Sequence, residues 1–250
     1  MRFIYADNAA TTRLSDTALE AMLPYLREEY GNASTLYKLG RSAHNAVASA
    51  RRTFADGIRA IPAEIFFTSG GTESDNWAIK GTAHRLARLG KRHIVTDNIE
   101  HHAVLNSVSA LAREGFEITY VKADADGVVP PQAVRAAIRP DTALVSVMFA
   151  NNELGTIQPV AEIGRICRGA GVLFHCDAVQ AAGILPIDVQ AMNIDLLSMS
   201  AHMFHGAKGV GVLYARRGCV PEAYMDGGEQ EYHHRAGTEN VAGIVGAAAA

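Results

Sequence analysis

Short apolar runs rich in β-branched residues alternate with amphipathic stretches along most of this chain, and that alternation restricts the fold more than any other feature. The strand-like runs cover residues 65–68, 93–96, 117–121, 143–149, 172–176, 194–200 and 210–215. Helical periodicity covers 16–29, 42–59, 73–88, 102–114, 131–138 and 160–169, and a last helical pattern runs over 239–250. Strands that are apolar almost throughout belong to sheets buried on both faces. Strands alternating with helices build βαβ units. The pattern therefore predicts an α/β fold, a three-layer sandwich around a mostly parallel central sheet. At 250 residues the chain is read as one large domain over 1–250.

Composition removes several classes. Hydrophobic residues make up 48% and charged residues 20%, so the chain is neither disordered nor collagen-like. No apolar run reaches the roughly 18–20 residues needed to cross a bilayer, which argues against a membrane partner. The opening MRFIYADNAATT lacks an apolar core and is not read as a secretory leader. A net charge of −3, with both signs scattered, argues against a nucleic-acid surface. Cys167, Cys176 and Cys219 are an odd, widely spaced set without a CxxC, the usage of a reduced, cytoplasmic protein. The pattern over 239–250 ends on four alanines without a capping signal. It reads either as a helix that continues or as a ragged end.

In open parallel sheets, ligands bind at the carboxyl ends of the strands, so the residues after each predicted strand carry the most information. Ser69, Gly70, Gly71, Thr72 and Glu73 follow the first strand and lead into a helix. Small residues let a ligand approach the backbone, and free N–H groups at a helix start favour a phosphate. Thr72 is expected to cap that helix and offer its hydroxyl; a plain capped glycine turn fits the same residues. His101, after the second strand, suits stacking on a flat heteroaromatic ring or acid–base work, or simple capping. Asn151 and Asn152 suit a phenolic or carboxylate oxygen, or an asparagine turn. Asp177, followed by Gln180, ends an apolar strand, where a carboxylate is costly unless it meets a cation such as a protonated pyridine nitrogen; capping the next helix is the alternative. Ser200, His202, Met203 and His205 follow the sixth strand. Together these groups match what pyridoxal phosphate requires at its phosphate, ring face, O3′ and ring nitrogen.

The motifs that carry these residues resemble the cysteine desulfurase family, within the class V aminotransferases of fold type I pyridoxal-phosphate enzymes. They are YADNAATT (5–12), Gly31-Asn32, TSGGTESDN (68–76), IEHHAV (99–104), ANNELGTIQP (150–159), DAVQ (177–180), SAHMFHGAKGVG (200–211) and HRAGTEN (234–240). The resemblance implies the large domain of that fold, and removal of sulfur from L-cysteine for iron–sulfur cluster or thio-cofactor synthesis. It implies that Gly71, Thr72, Ser200 and His202 bind the cofactor phosphate and that His101 stacks on the ring. Asn152 and Gln180 would contact the region of O3′, and Asp177 the pyridinium. Thr238 would reach the phosphate from the second subunit of a homodimer.

Two departures stand out. The position after His202, where the family carries its Schiff-base lysine, is Met203, which neither forms that bond nor shuttles protons. The chain also stops before the family's small C-terminal domain with its catalytic-cysteine loop, and that domain is expected to be absent. Ala33, Tyr37, Glu229 and Tyr232-His233 are lesser departures. Three readings follow. The first is an impaired desulfurase-like protein that holds pyridoxal phosphate without a tether, or as its adduct with a free amino acid. The second is a non-catalytic, dimerising or regulatory protein, or one half of a split enzyme, meeting an iron–sulfur scaffold or a partner that supplies the missing domain. The third is a metal site at His202 and His205, set against a default of no metal.

Overall fold

The computed structural model describes residues 4–250; the first three residues of the opening motif lie outside them. The seven expected strands are β1 (Ile65–Thr68), β2 (His93–Asp97), β3 (Glu117–Val121), β4 (Thr142–Ser146), β5 (Leu173–Asp177), β6 (Leu196–Ser200) and β7 (Gly211–Ala215). They form one sheet in the order β1-β7-β6-β5-β4-β2-β3. Only β7 runs antiparallel, to both β1 and β6; the remaining pairs are parallel. The α/β prediction with a mostly parallel sheet holds.

The helices are α1 (Asp16–Arg27), α2 (Lys38–Gly57), α3 (Gly71–Asn76), α4 (Thr82–Ala87), α5 (His102–Arg113), α6 (Pro131–Ala137), α7 (Val160–Ala170), the single turn α8 (Gln230–His233) and α9 (Val241–Ala249). Local chemistry sets several ends. Ser15 Oγ accepts the Ala18 amide at 3.0 Å to start α1, Gly171 closes α7 in the left-handed conformation at φ 65°, and Asn240 Oδ1 accepts the Gly243 amide to start α9.

Alternation along the strands sorts apolar side chains onto two faces. Phe66, Ile94, Leu144, Leu196 and Leu213 pack with Trp77, Val104, Val108 and Leu111 of the α3–α5 layer. Ile65, Phe67, Val95, Val145, Leu197 and Val212 pack with Val47 of α2, Val134 of α6, Ile163 of α7 and Ile244 of α9. A central strand with both faces covered must be apolar throughout, which is why its sequence shows no polar alternation.

Beyond shifts of one or two residues at element ends, three differences from the sequence prediction stand out. Helix α2 begins at Lys38, earlier than expected, because its first turn carries a single apolar residue, Leu39, and Gly40 packed against Thr35, too little to show a helical period. The pattern over 73–88 is α3 and α4 joined by a π-helical segment, Trp77–Gly81. That wide turn sets Trp77 edge-on to Phe66 at 5.4 Å and lets its Nε1 donate to Glu222 O at 2.8 Å. The ladder of β4 stops at Ser146, although Val147 and Phe149 still donate to the carbonyls of His175 and Asp177.

The edge of β1 that faces away from β7 is closed by side chains. Arg51 Nη1 donates to Ile65 O, and Glu231 Oε2 accepts the Phe67 amide at 2.9 Å. Arg51 and Glu231 pair bidentately at 2.7 and 2.8 Å, with the guanidinium 4.7 Å from the Phe67 ring and 5.2 Å from that of Tyr232. Glu231, Tyr232 and His233 have φ of 46°, 56° and 65°, a left-handed run without glycine that costs free energy. The buried ion pair anchors it.

Candidate active site

The carboxyl ends of β1, β4, β5 and β6 and the turn after β2 meet around a cavity of about 320 Å³, a size suited to a small molecule. Gly71 and Thr72 enter from α3, His101 from the start of α5, Asn152 from the turn after β4, Asp177 and Gln180 from the end of β5, and Ser200, His202 and Met203 from the end of β6. These residues, scattered in sequence, share one chamber.

Each is held locally. His101 caps α5, its Nδ1 accepting the Ala103 amide at 3.1 Å while it faces the cavity, so capping and site coincide. Asn151 forms the turn, its Oδ1 accepting the Glu153 and Leu154 amides, and thereby leaves Asn152 free to line the chamber. Asp177 Oδ1 accepts the Val179 amide at 2.9 Å. Gln180 Nε2 donates to Ala9 O at 2.9 Å, and His202 Nδ1 lies 3.0 Å from Thr11 Oγ1. The 5–12 motif thus folds over the chamber's rim. Gly71 is needed there, since a Cβ would meet Val179 Cγ2 at 2.5 Å. Thr72 is not the cap: Gly70 opens α3, and Glu73, accepting from the Ser69 amide and hydroxyl, occupies that role.

Electrostatically, the floor is acidic. Burial raises the Asp177 carboxyl above its usual range, although the Val179 amide and His101 pull it back. Asp75 and Glu100 are also buried and raised by burial and by neighbouring carboxylates, and burial pushes Asp97 up to about 6. The chamber's lining contains no lysine or arginine. Sequence reasoning missed Asp75, although its place one helical turn after Gly71 and Thr72 put it on their face.

Thr238 lies outside the chamber, exposed in a small depression with Ser69 and Arg235. His205, unlike His202, does not line the chamber. It has a left-handed backbone (φ 67°), its Nδ1 lies 3.0 Å from Arg13 O, and it faces a neighbouring groove. The two histidines expected as a metal pair therefore open onto different cavities. The described residues offer one three-group cluster instead, Asp75, His101 and Asp177, with ligating atoms within 4.8 Å of one another. In neutral His101, however, the Nδ1 lone pair is engaged by Ala103, so Nε2 carries the proton and presents a donor, not a ligand.

Met203 is 4% exposed and stands in the wall shared with that neighbouring groove, a largely apolar space of about 630 Å³. None of the thiols is activated. Burial pushes Cys167 up to about 12, Cys219 up to about 11 and Cys176 well above the ordinary range.

A wound α/β sheet with a polar chamber at its carboxyl edge is the architecture of the large domain of fold type I pyridoxal-phosphate enzymes, and the solved relatives share it. Residues 4–250 match the aminotransferase class-V family. A cysteine desulfurase IscS from Methanosarcina thermophila is 54% identical over 97% of this chain and 60% of its own length, and one from Anaeromyxobacter dehalogenans is 55% identical over 97% and 61%. A solved NifS-like protein superposes with a TM-score of 0.96 at 45% identity, covering 99% of this chain and 68% of the other. A structure described as SspA in complex with cysteine gives 0.95 at 42%, covering 98% and 71%. The chain belongs to the class V aminotransferase family, in its IscS/NifS cysteine desulfurase branch. It spans about 60% of the length of the curated relatives it matches.

Proposed function

We propose that this chain is the cofactor-holding part of a cysteine desulfurase-like protein, binding pyridoxal phosphate without a covalent tether and, by itself, releasing little or no sulfur from L-cysteine. The observation that carries this is the chamber's wall: Met203 stands at the position expected to hold the Schiff-base lysine, and no other lysine reaches the lining. Methionine fills comparable volume without a buried amine, so the chamber keeps its shape and loses the nucleophile.

The residues present fit the cofactor. Asp177, buried in a chamber lined by no lysine or arginine, suits a protonated ring nitrogen. Gly71, Thr72, Ser200 and His202 would hold the phosphate, His101 the ring face, and Asn152 and Gln180 the O3′ side. When bound, the cofactor supplies an electrophilic carbonyl and an electron sink. The chain's own residues orient it, exclude water through the 5–12 flap and neutralise its ring nitrogen. The unactivated thiols leave sulfur acceptance to a group outside the described residues.

The separate place of Thr238, beside Ser69 and Arg235, supports a homodimer in which it reaches the partner's chamber, and three widely spaced free cysteines suit a reduced, cytoplasmic setting. It also leaves room for a regulatory role, or for a partner that supplies the part matched only in longer relatives. An iron–sulfur scaffold is a candidate sulfur recipient on this reading.

Absorbance titration with pyridoxal phosphate, with and without L-cysteine, tests the proposal. Saturable binding is expected, and after borohydride treatment and denaturing gel filtration the pyridine should be recovered in full as its unattached reduced alcohol. In Met203→Lys, borohydride should fix the cofactor to the chain. Sulfide release from L-cysteine by the unmodified chain, with no partner added and at a rate typical of a desulfurase, would refute the reading, and light scattering that showed only monomer would remove the dimer.

A further inference from the structure

We propose that Asp75 is a buried proton store for the cofactor's ring nitrogen: it carries a proton in the empty chamber and yields it by way of Asp177 when a pyridine ring seats, so the ring becomes charged without a proton from solvent. The inference rests on the pyridoxal-phosphate reading above.

Asp75 is 1% exposed and lines the chamber, yet its Oδ1 has no hydrogen-bond partner. Asp75 and Asp177 each offer a carboxylate oxygen within 4.8 Å of the other. Every element packed around Asp75 bears on its proton. From β5 come Asp177 and His175, whose Nε2 lies 3.6 Å from Asp75 Oδ1. Burial lowers His175 to about 3, and its ring is engaged by the Ser146 and Ser198 hydroxyls, so it stays neutral. The Ser198 hydroxyl of β6 pulls the Asp75 carboxyl back toward its ordinary range. From the turn after β2 come Glu100 and His101, with Asp97 beside Glu100. No lysine or arginine lines this chamber.

Two carboxylates this close in a water-poor floor do not both ionise. Their partners decide which one keeps the proton. Asp177 accepts an amide and faces His101, contacts that favour its anion. Asp75 lacks an equivalent contact at Oδ1, and burial together with the Asp177 charge holds its carboxyl well above the usual range. The transfer balances: the Asp75 O–H bond breaks, an N–H bond forms at the ring nitrogen, and both carboxylates then flank one pyridinium. The three groups carry the same net charge before and after, so no co-reactant is needed.

The test compares pyridoxal phosphate with its analogue carrying carbon in place of the ring nitrogen, by calorimetric titration over the pH range where the free ring nitrogen is unprotonated. In the unmodified protein the ratio of the two affinities should be independent of pH. In Asp75→Asn, charging the ring must draw a proton from solvent, and the ratio should fall about tenfold per pH unit. A flat ratio in D75N, or a falling one in the unmodified protein, overturns the proposal. A second measurement needs no variant: difference infrared spectra of the unmodified protein should lose a buried protonated-carboxyl band when the cofactor, but not the analogue, is added. Persistence of that band also overturns it. If neither compound binds, the chamber reading itself fails and takes this inference with it; binding with unaltered proton traffic defeats the inference alone.

Discussion

Cys219 shows how far local environment can silence a reactive side chain. It lies half-buried after β7, its Sγ 3.8 Å from Asp195 Oδ1, and burial with that carboxylate raises the thiol to about 11. The thiolate fraction at neutral pH is then below about one in a thousand. Cys219 should react with an alkylating reagent at pH 7.5 more than tenfold more slowly than free cysteine, and unfolding should release all three thiols together. Fast labelling of the folded chain would contradict this and reopen Cys219 as a sulfur acceptor. At the same scale, Thr72 and His101 show why single residues were hard to assign from sequence. Thr72 lost its expected capping role to Gly70 and Glu73, whereas His101 both caps α5 and lines the chamber. Asp75 went unnoticed because its significance lies in Asp177, far along the chain, and only the closed sheet brings the two together.

At the scale of elements, the strands were legible because each central one must be apolar on both faces, a demand that leaves little choice of residue. The strand-end motifs were legible for a related reason: parallel strands put their following turns along one rim. What sequence periodicity could not show were departures from regular winding, such as the π-helical segment Trp77–Gly81 and the left-handed run at Glu231, Tyr232 and His233. The latter exists to close β1. Removing one partner of the buried Arg51–Glu231 pair strands a charge and bares one backbone group of an edge strand, the Phe67 amide when Glu231 is lost. Glu231→Ala should cost about 3–5 kcal/mol in chemical denaturation and promote aggregation. Replacing both residues, as R51M with E231L, should recover much of that stability. A double variant as unstable as E231A would mean that closing the edge, not the stranded charge, dominates.

For the molecule as a whole, the buried acids leave a signature in stability against pH. Glu100 is raised by burial and by Asp97, Asp177 and Asp75, and neither of its oxygens has a hydrogen-bond partner. Its folded pKa lies above its unfolded one, so the folded state binds more protons and stability falls as pH rises from the unfolded value through the folded value. His175 acts oppositely. Lowered to about 3 by burial, it takes stability away as pH falls below about 6.5. The two slopes partly cancel in the unmodified chain, so a comparison with Glu100→Gln isolates the acid: between about pH 5 and 8, E100Q should gain about 1–3 kcal/mol relative to the parent in denaturant titrations. No relative gain would place Glu100 in contact with water. The chamber's construction reaches further still. Because its wall is drawn from chain crossings between Ala9 and Met203, no fragment or locally melted state retains it. Ligand affinity and global folding are thus linked thermodynamically, and the melting temperature of the intact sheet becomes a direct gauge of how full the chamber is.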